Sequence, residues 1–233
     1  MIKQTMAALL LSTTIAGAAN IQAGISTLST DIEGFEASGI QLNFEGVKDG
    51  VEFGGSLNSA ETYKGVSKTE VEAAITTHAT QLTRMGFDTE GETAEEVKDN
   101  SIEVYAGKQL QSGFSAGLML RKDDLEVSNA YGGPRGEVDV DLVKSDDTIV
   151  AGYVAWSNDY VRVSANTNGD VAAKVEKDIT KNISINAGFS KAKAEFSGSN
   201  FDNYTCDVAP CHFNDYSGDA DVERVTFGAS WKF

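Results

Sequence analysis

The sequence predicts an all-β chain that closes into an antiparallel, up-and-down β-barrel crossing a membrane. Three observations lead to this prediction. Segments with an apolar residue at every second position recur, tight turns alternate with long polar segments, and an apolar leader precedes the first segment. We expect about ten strands, with eight or twelve as alternatives, and a short helix in one long external loop.

Residues 1–18 are predicted to form a secretory signal peptide. Lys3 is the only charge before an apolar run over residues 7–19, and the run ends in small residues. Cleavage after Ala18, or as late as Ala23, would leave a single barrel domain over 19–233. A membrane-spanning helix needs roughly 20 apolar residues, and no stretch reaches that length. We therefore expect an exported chain without an inner-membrane helix.

The C-terminal segment shows the alternation most clearly. Successive side chains of a strand point to opposite faces of the sheet. One face would carry Val225, Phe227, Ala229, Trp231 and Phe233, and the other would carry Arg224, Thr226, Gly228, Ser230 and Lys232. The same split between an apolar and a polar face recurs in at least six earlier segments, and this predicts a wall with one apolar surface.

Ten strands are predicted, with tight turns taken as periplasmic. They cover 25–33, 37–47, 51–60, 101–110, 113–127, 147–157, 160–166, 171–178, 183–195 and 222–233. The first of these alternates poorly, and without it the count would be eight. Residues 136–144 are interpreted as a hairpin extension above the membrane, because Asp139 and Asp141 would be costly against lipid. If they cross the membrane instead, the count is twelve.

Two long polar segments are predicted to be external loops, 61–100 and 196–221. Within the first, Val71, Ile75, His78, Leu82 and Met85 recur at helical spacing, which predicts a short amphipathic helix. An acidic run over 88–99 follows it. The helix would lie across the barrel mouth, or fold into the lumen as a plug, or form a partner-binding surface.

The polar faces of the predicted strands carry full charges, which suit a wet or hydrogen-bonded lumen rather than a dry core. The residues expected to face the lumen are Arg162, Lys174, Glu176, Arg224 and Lys232. Several aromatic residues lie near strand ends, where the membrane interfaces would be. These are Phe44, Phe53, Trp156, Tyr160, Trp231 and Phe233.

The remaining composition excludes some functions and leaves others open. The formal net charge of -16 repels nucleic-acid phosphates, although acidic loops could bind divalent cations weakly. Cys206 and Cys211 are expected to form a disulfide in an oxidising compartment. No cofactor or metal motif is present. Acid–base catalysis near neutral pH usually uses a histidine, and of the two histidines present His212, with Asp207 and Asp215, is the weak candidate.

The ending Val225–Phe233 resembles the assembly signal of Gram-negative outer-membrane β-barrel proteins, the small porin-like and OmpA-like barrels. It has Phe at the C-terminus and aromatic residues two and six positions earlier. The resemblance implies that the barrel-assembly machinery reads Val225, Phe227, Trp231 and Phe233 during biogenesis. It also implies a location in the cell outer membrane, among outer-membrane lipid and lipopolysaccharide.

Three functional hypotheses follow. The first is a non-enzymatic outer-membrane barrel whose acidic surface loops serve envelope integrity, surface recognition or adhesion. The second is a narrow passive pore, because a barrel of eight to ten strands is about wide enough for its own side chains. The third is a membrane-embedded hydrolase, against which the lack of a histidine constellation argues.

Overall fold

The computed structural model describes residues 20–65, 93–132, 138–201 and 213–233. The strands are β1 (Asn20–Ile32), β2 (Phe35–Lys48), β3 (Val51–Gly65), β4 (Thr93–Asp99), β5 (Ile102–Gln109), β6 (Phe114–Lys122), β7 (Leu125–Gly132), β8 (Val138–Ser145), β9 (Thr148–Ser157), β10 (Val161–Asn166), β11 (Val171–Asp178), β12 (Ile183–Phe201) and β13 (Phe213–Lys232). A single 3-10 turn spans Gln111–Gly113. None of the described residues belongs to a helix long and apolar enough to cross a membrane.

Ten strands close a ring in which every neighbouring pair is antiparallel. The order around the ring is β1, β2, β3, β5, β6, β9, β10, β11, β12 and β13, and β13 returns to pair with β1. We call this ring the lower barrel. The predicted fold class, a closed antiparallel up-and-down barrel, is confirmed, and so is the count of ten strands.

A second, narrower ring continues directly above the first. It contains eight strands: β1, β2, β3, β4, β7, β8, β12 and β13. The β10–β11 hairpin ends at its turn, and above that turn β8 pairs directly with β12, from Ser197 opposite Lys144 to Asn200 opposite Asp141. We call this ring the upper barrel. Residues 138–145 belong to it, so the predicted hairpin extension is a strand of the upper barrel.

The two ends of the barrel carry different connections. The lower end holds four tight connections and both ends of the described chain, Asn20 and Phe233. Asp49 and Gly50 connect β2 to β3 with positive φ angles of 52° and 74°. Such angles belong to the type I′ turns that join twisted hairpin strands, and glycine is favoured at them because it has no Cβ.

At the upper end the strands continue into both segments that were predicted to be loops. Residues 61–65 belong to β3 and residues 93–99 to β4, and the second predicted loop contains the end of β12 and the start of β13. The predicted loops are therefore too long as stated. The predicted helix lies outside the described residues, and so do residues 88–92 of the acidic run, whereas 93–99 form β4.

The polarity of the wall reverses at one level, where the lower barrel meets the upper barrel. Below that level the outer face is apolar and exposed on each of the ten strands; examples are Ile25, Ile40, Val51, Val104, Leu118, Val154, Val163, Val175, Ile185 and Phe227. We call this surface the apolar belt. Above that level the outer face is polar; its residues include Asp31, Glu36, Glu61, Lys98, Lys193, Glu195, Asp219, Asp221 and Glu223. The same strand therefore meets two different surroundings along its length.

The inner face reverses in the opposite sense. The inner residues of the lower barrel are mainly polar; they include Ser26, Asn43, Glu52, Ser115, Ser164, Lys174, Asn186 and Ser230. The upper barrel holds a buried apolar cluster of Leu28, Ile32, Ala37, Ala60, Val97, Leu125, Val127, Ala194, Phe196 and Val222. The main hydrophobic core thus lies inside the upper barrel.

Candidate functional site in the barrel interior

The interior of the lower barrel contains a layer of charged side chains near its lower end, which we call the lower charged layer. Lys174 lies 2.7 Å from a Glu45 oxygen and 3.0 Å from a Glu176 oxygen. Arg162 donates to Glu52, and its guanidinium carbon lies 5.0 Å from the centre of the Tyr105 ring. Each basic group of this layer is therefore paired with a carboxylate across the lumen.

A second layer, the upper charged layer, lies where the lower barrel meets the upper barrel. Arg224 donates to both oxygens of Asp99, at 2.7 and 3.2 Å. Thr30 and Ser101 also donate to Asp99, at 2.9 and 2.7 Å. Burial alone would raise the pKa of Asp99, but the charge and hydrogen bonds of Arg224 with the two hydroxyl bonds hold it below its usual value of 3.8. Asp99 is therefore ionised at neutral pH.

Arg121 lies inside the barrel at the level where the ring of ten strands narrows to a ring of eight. Its Nε donates to Asp123 at 2.8 Å, one terminal nitrogen donates to Asp170, and the other donates to the Lys193 carbonyl at 2.6 Å. Asp170 lies in the β10–β11 turn and also accepts from the Lys193 amide at 3.0 Å. These hydrogen bonds hold the β10–β11 turn against β12 at the level where the β10–β11 hairpin ends.

A cavity of about 200 Å³ lies between the two charged layers. Polar residues from most of the ten strands line it, among them Asn43, Asn58, Glu103, Ser164, Asn186 and Thr226. A second cavity, of about 430 Å³, lies at the lower end beside the tight turns. Glu45, Arg162 and Lys174 line both cavities, so the lower charged layer separates them.

Two tyrosines form part of the cavity wall, and glycines make room for them. The rings of Tyr105 and Tyr153 meet edge to face at 5.4 Å. A Cβ on Gly54 would lie 2.4 Å from the Tyr105 hydroxyl, and a Cβ on Gly107 would lie 2.5 Å from the Tyr153 hydroxyl. The missing side chains of Gly54 and Gly107 therefore let the tyrosines lie flat across neighbouring strands.

The apolar cluster closes the interior above the upper charged layer. Leu28, Val97, Leu125 and Val222 come from four strands of the upper barrel, and each is at most 2 % exposed. A close-packed apolar interior leaves no room for a file of water molecules. Within the described residues, therefore, no open path leads from the cavity to the upper end.

The structure places the five sequence-predicted charged residues on the inner face. Arg162, Lys174 and Glu176 belong to the lower charged layer, and Arg224 belongs to the upper one. Lys232 lies at the lower end, 2.5 Å from Asp178 and 3.6 Å from Glu176. The sequence reasoning missed the other charged residues of the two layers, which are Glu45, Glu52, Asp99, Arg121, Asp123 and Asp170. Glu45, Glu52 and Arg121 lie at inward positions of predicted strands, so the alternation could have identified these three; Asp99 fell in a predicted loop, and Asp123 and Asp170 lie between strands.

The four residues of the predicted assembly signal lie on the outer face at the end of β13. Val225, Phe227, Trp231 and Phe233 are between 42 % and 78 % exposed. The Phe233 amide donates to the Ile21 carbonyl at 2.8 Å, so the last residue is held against the first strand. The apolar belt continues through these residues without interruption.

The described residues do not contain a candidate metal centre. No three residues of the types His, Cys, Asp and Glu come together there in a way that could hold a metal ion. His78, His212, Asp207, Cys206 and Cys211 lie outside the described residues, and so does the predicted signal peptide. The predicted disulfide and the weak catalytic candidate therefore stay predictions.

No protein-family model and no curated protein matches the sequence. Among solved structures, Ail, the attachment invasion locus protein of Yersinia pestis, is 10% identical with a TM-score of 0.38, over 92% of this chain and 97% of that chain. Neisserial surface protein A is 11% identical with a TM-score of 0.34, over the same shares. The outer-membrane protease OmpT of Escherichia coli is 10% identical with a TM-score of 0.43, again over the same shares. The likeness is one of barrel architecture alone.

Proposed function

We propose that this chain is a non-enzymatic outer-membrane barrel that presents its acidic loops on a closed extracellular extension for surface recognition or adhesion. The observation that carries the proposal is the reversal of wall polarity at a single level. Lipid around the lower barrel and water around the upper barrel account for both halves of the reversal. Neither surrounding alone does so.

The apolar belt supports the membrane location. Large exposed residues such as Leu118, Val150 and Phe227 are each more than half exposed on the outer face, at 65%, 68% and 62%. A continuous apolar surface of this kind drives aggregation in water, whereas a bilayer covers it. A closed ring also pairs the backbone groups along the wall, which the hydrocarbon region requires.

The two ends of the barrel support an orientation. Bacterial barrels keep short turns on the periplasmic side and long loops outside the cell. Here the tight turns and both ends of the described chain lie at the lower end, and so do Trp156, Tyr160 and Trp231. The upper barrel then faces the exterior.

The closed interior argues against a passive pore. Ions would have to pass the upper charged layer, whose guanidiniums are all paired, and then the apolar cluster of the upper barrel. An apolar constriction of this kind is dry and resists ions. The function therefore belongs to the exterior of the upper barrel and its loops. Their acidic residues would attract a partner with a basic surface, such as a basic protein of a host or of a neighbouring cell.

Cells that express the chain test this function directly. We expect them to adhere to surfaces coated with a basic protein, less so at high salt, and to lose adhesion when residues 202–212 are replaced by a Gly/Ser linker of equal length. A control substitution in a lower-end turn, Asp49→Asn, should leave adhesion intact. Steady ion conductance of the purified barrel in planar bilayers, with adhesion unaffected by the loop exchange, would contradict the proposal and favour a pore.

A further inference from the structure

Four lysines at the lower end of the barrel have no carboxylate partner among the described residues. They are Lys48, Lys108, Lys177 and Lys181, and all four side chains are exposed. Six other lysines each lie within 4.0 Å of a carboxylate oxygen; these are Lys98, Lys122, Lys144, Lys174, Lys191 and Lys232. Of the lysine side chains that the structure describes, only Lys193 shares the lack of a partner. The lysines of the lower end are therefore available to an anion from outside the chain.

Two of these lysines lie at one level on the outer face. Lys48 pairs with Val51 across the β2–β3 hairpin, and Val51 pairs on its other side with Lys108 of β5. The two lysines are thus two strand spacings apart, or about 10 Å between Cα atoms. Val51 belongs to the apolar belt and is 45% exposed. Because lysine has a flexible four-carbon stem, both ammonium groups can reach one anion in front of Val51.

The charges of the outer face are separated along the barrel axis. Within the apolar belt the described strands carry no carboxylate at an outward position, and Lys48, Lys108 and Lys177 border the belt from below. Outward carboxylates border it from above; they include Asp31, Glu36, Glu61, Asp221 and Glu223. Two exposed carboxylates of the lower end, Asp49 and Asp159, belong to turns and lie further from the belt. The lower border of the belt is therefore basic, although the chain is acidic.

A lipid bilayer places its headgroup phosphates at the level of this border. Hydrocarbon covers the belt, and Lys side chains run along apolar surface while their ammonium groups reach the charged headgroups. Trp156, Tyr160 and Trp231 lie at the same end of the barrel, and such aromatic side chains prefer the membrane interface. Each lysine near an anionic membrane surface favours binding to it by about fivefold.

We infer that the lower border of the belt binds anionic phospholipids, with one lipid phosphate between the ammonium groups of Lys48 and Lys108 and its acyl chains on the belt beside Val51. Lys177 and Lys181, on the β11–β12 hairpin, form a second contact of the same kind. The inference rests on the membrane location proposed above. It adds a preference for anionic lipid in the leaflet at the lower end, which does not depend on the external loops.

The tryptophan fluorescence of the full chain tests this preference where it is expected. The chain has two tryptophans, Trp156 and Trp231, and both lie at the lower end. The barrel is folded into vesicles of equal parts phosphatidylcholine and phosphatidylglycerol, with bromine on the acyl chains of one lipid or of the other. Brominated phosphatidylglycerol should quench the fluorescence more strongly, as expected for an enrichment of about fivefold beside the lysines. At about 1 M salt, where charges are screened beyond about 3 Å, the difference should disappear.

Variants of matched charge locate the contact. Changing Lys48, Lys108, Lys177 and Lys181 to glutamine should make the quenching by the two brominated lipids equal. The control changes four lysines near the upper border, which are Lys98, Lys122, Lys144 and Lys193, to glutamine and should keep the preference. Unheated gel mobility reports whether each variant folds. If the first variant does not fold, Lys48→Gln with Lys108→Gln takes its place and should lose part of the preference.

Three results would overturn the inference. The first is equal quenching by the two brominated lipids in the unaltered chain. The second is a preference that survives the lysine substitutions at the lower end, and the third is a preference that about 1 M salt leaves unchanged. A barrel that folds in phosphatidylcholine vesicles but shows no preference would refute the lipid contact alone. A chain that inserts into neither kind of vesicle would contradict the membrane location itself.

Discussion

The ion pair between Arg224 and Asp99 gives a sharp test of how dry the upper charged layer is. Asp99→Asn keeps the side-chain volume but removes the negative charge opposite the guanidinium of Arg224, and Arg224 is only 5% exposed. Breaking a buried ion pair on one side leaves an uncompensated charge and typically costs about 3–5 kcal/mol. We therefore expect Asp99→Asn to lower the free energy of unfolding by about 3–5 kcal/mol.

The assay is urea unfolding of the barrel in phospholipid vesicles, followed by tryptophan fluorescence and by gel mobility without boiling. The double variant Asp99→Asn with Arg224→Met removes both charges and should recover most of the loss. Lys191→Met is a control, because that lysine pairs with Asp221 and Glu223 on the exposed outer face, and it should change little. A loss below about 1 kcal/mol for Asp99→Asn, with no recovery in the double variant, would refute a dry charged layer.

Three further predictions concern the core, the pH dependence and the bilayer. Leu28→Ala should lower the free energy of unfolding in urea by about 2–5 kcal/mol, because Leu28 is 2% exposed inside the upper barrel. Leu118→Ala, on the apolar belt, should lower it clearly less. Equal losses would contradict the assignment of the core to the upper barrel. Because the pKa of Asp99 lies below its usual 3.8, its ion pair stabilises the fold fully above that pH and is lost as pH falls through the lower folded-state value. The stability difference between the unaltered chain and Asp99→Asn should thus stay constant from about pH 8 to pH 5 and shrink only below about pH 4, and a loss near pH 6 would oppose this. On β12 the apolar belt covers the seven residues Ile183–Phe189, or about 20 Å of strand. Because a short belt matches a thin bilayer, the folding yield on unheated gels should be higher in vesicles of C12 lipids than of C18 lipids. The reverse order would argue against a short belt.

The alternation of side chains was sufficient to predict the ring of ten strands. Val225–Phe233 and 183–189 alternate without exception, and the tight turns between such segments fix their antiparallel order. Weak segments were harder. Residues 25–33 alternate poorly by polarity alone, yet β1 pairs along its whole length with β2 and β13.

The upper barrel escaped prediction because apolar residues change parity there. On β13 the apolar residues lie at odd positions from Val225 onward and at even positions before it, at Ala220 and Val222. Water outside the upper barrel accepts charged residues, and the narrower interior of eight strands admits small apolar ones. The described parts of the segments that were predicted to be polar loops are therefore strands with their polar face outward. The parity change was visible in the sequence.

The charged layers could not be predicted from local patterns. Arg224 and Asp99 are separated by 125 positions, and Arg162 and Glu52 by 110. Alternation shows that each of these residues faces inward, but not which strand lies opposite or at what height. Partner choice across a lumen depends on the stagger of all ten strands, which only the closed ring determines.

The boundary along β13 tests the central claim most directly. Single cysteines at the outward positions 219, 221, 223, 225, 227 and 229, in a chain whose Cys206 and Cys211 are replaced by serine, can carry a nitroxide label in vesicles. Collision rates with oxygen, which dissolves in lipid, and with a water-soluble nickel complex report the surroundings of each label. We expect nickel to dominate at 219–223 and oxygen at 225–229, with one step between Glu223 and Val225. Nickel access along the whole series would contradict the account.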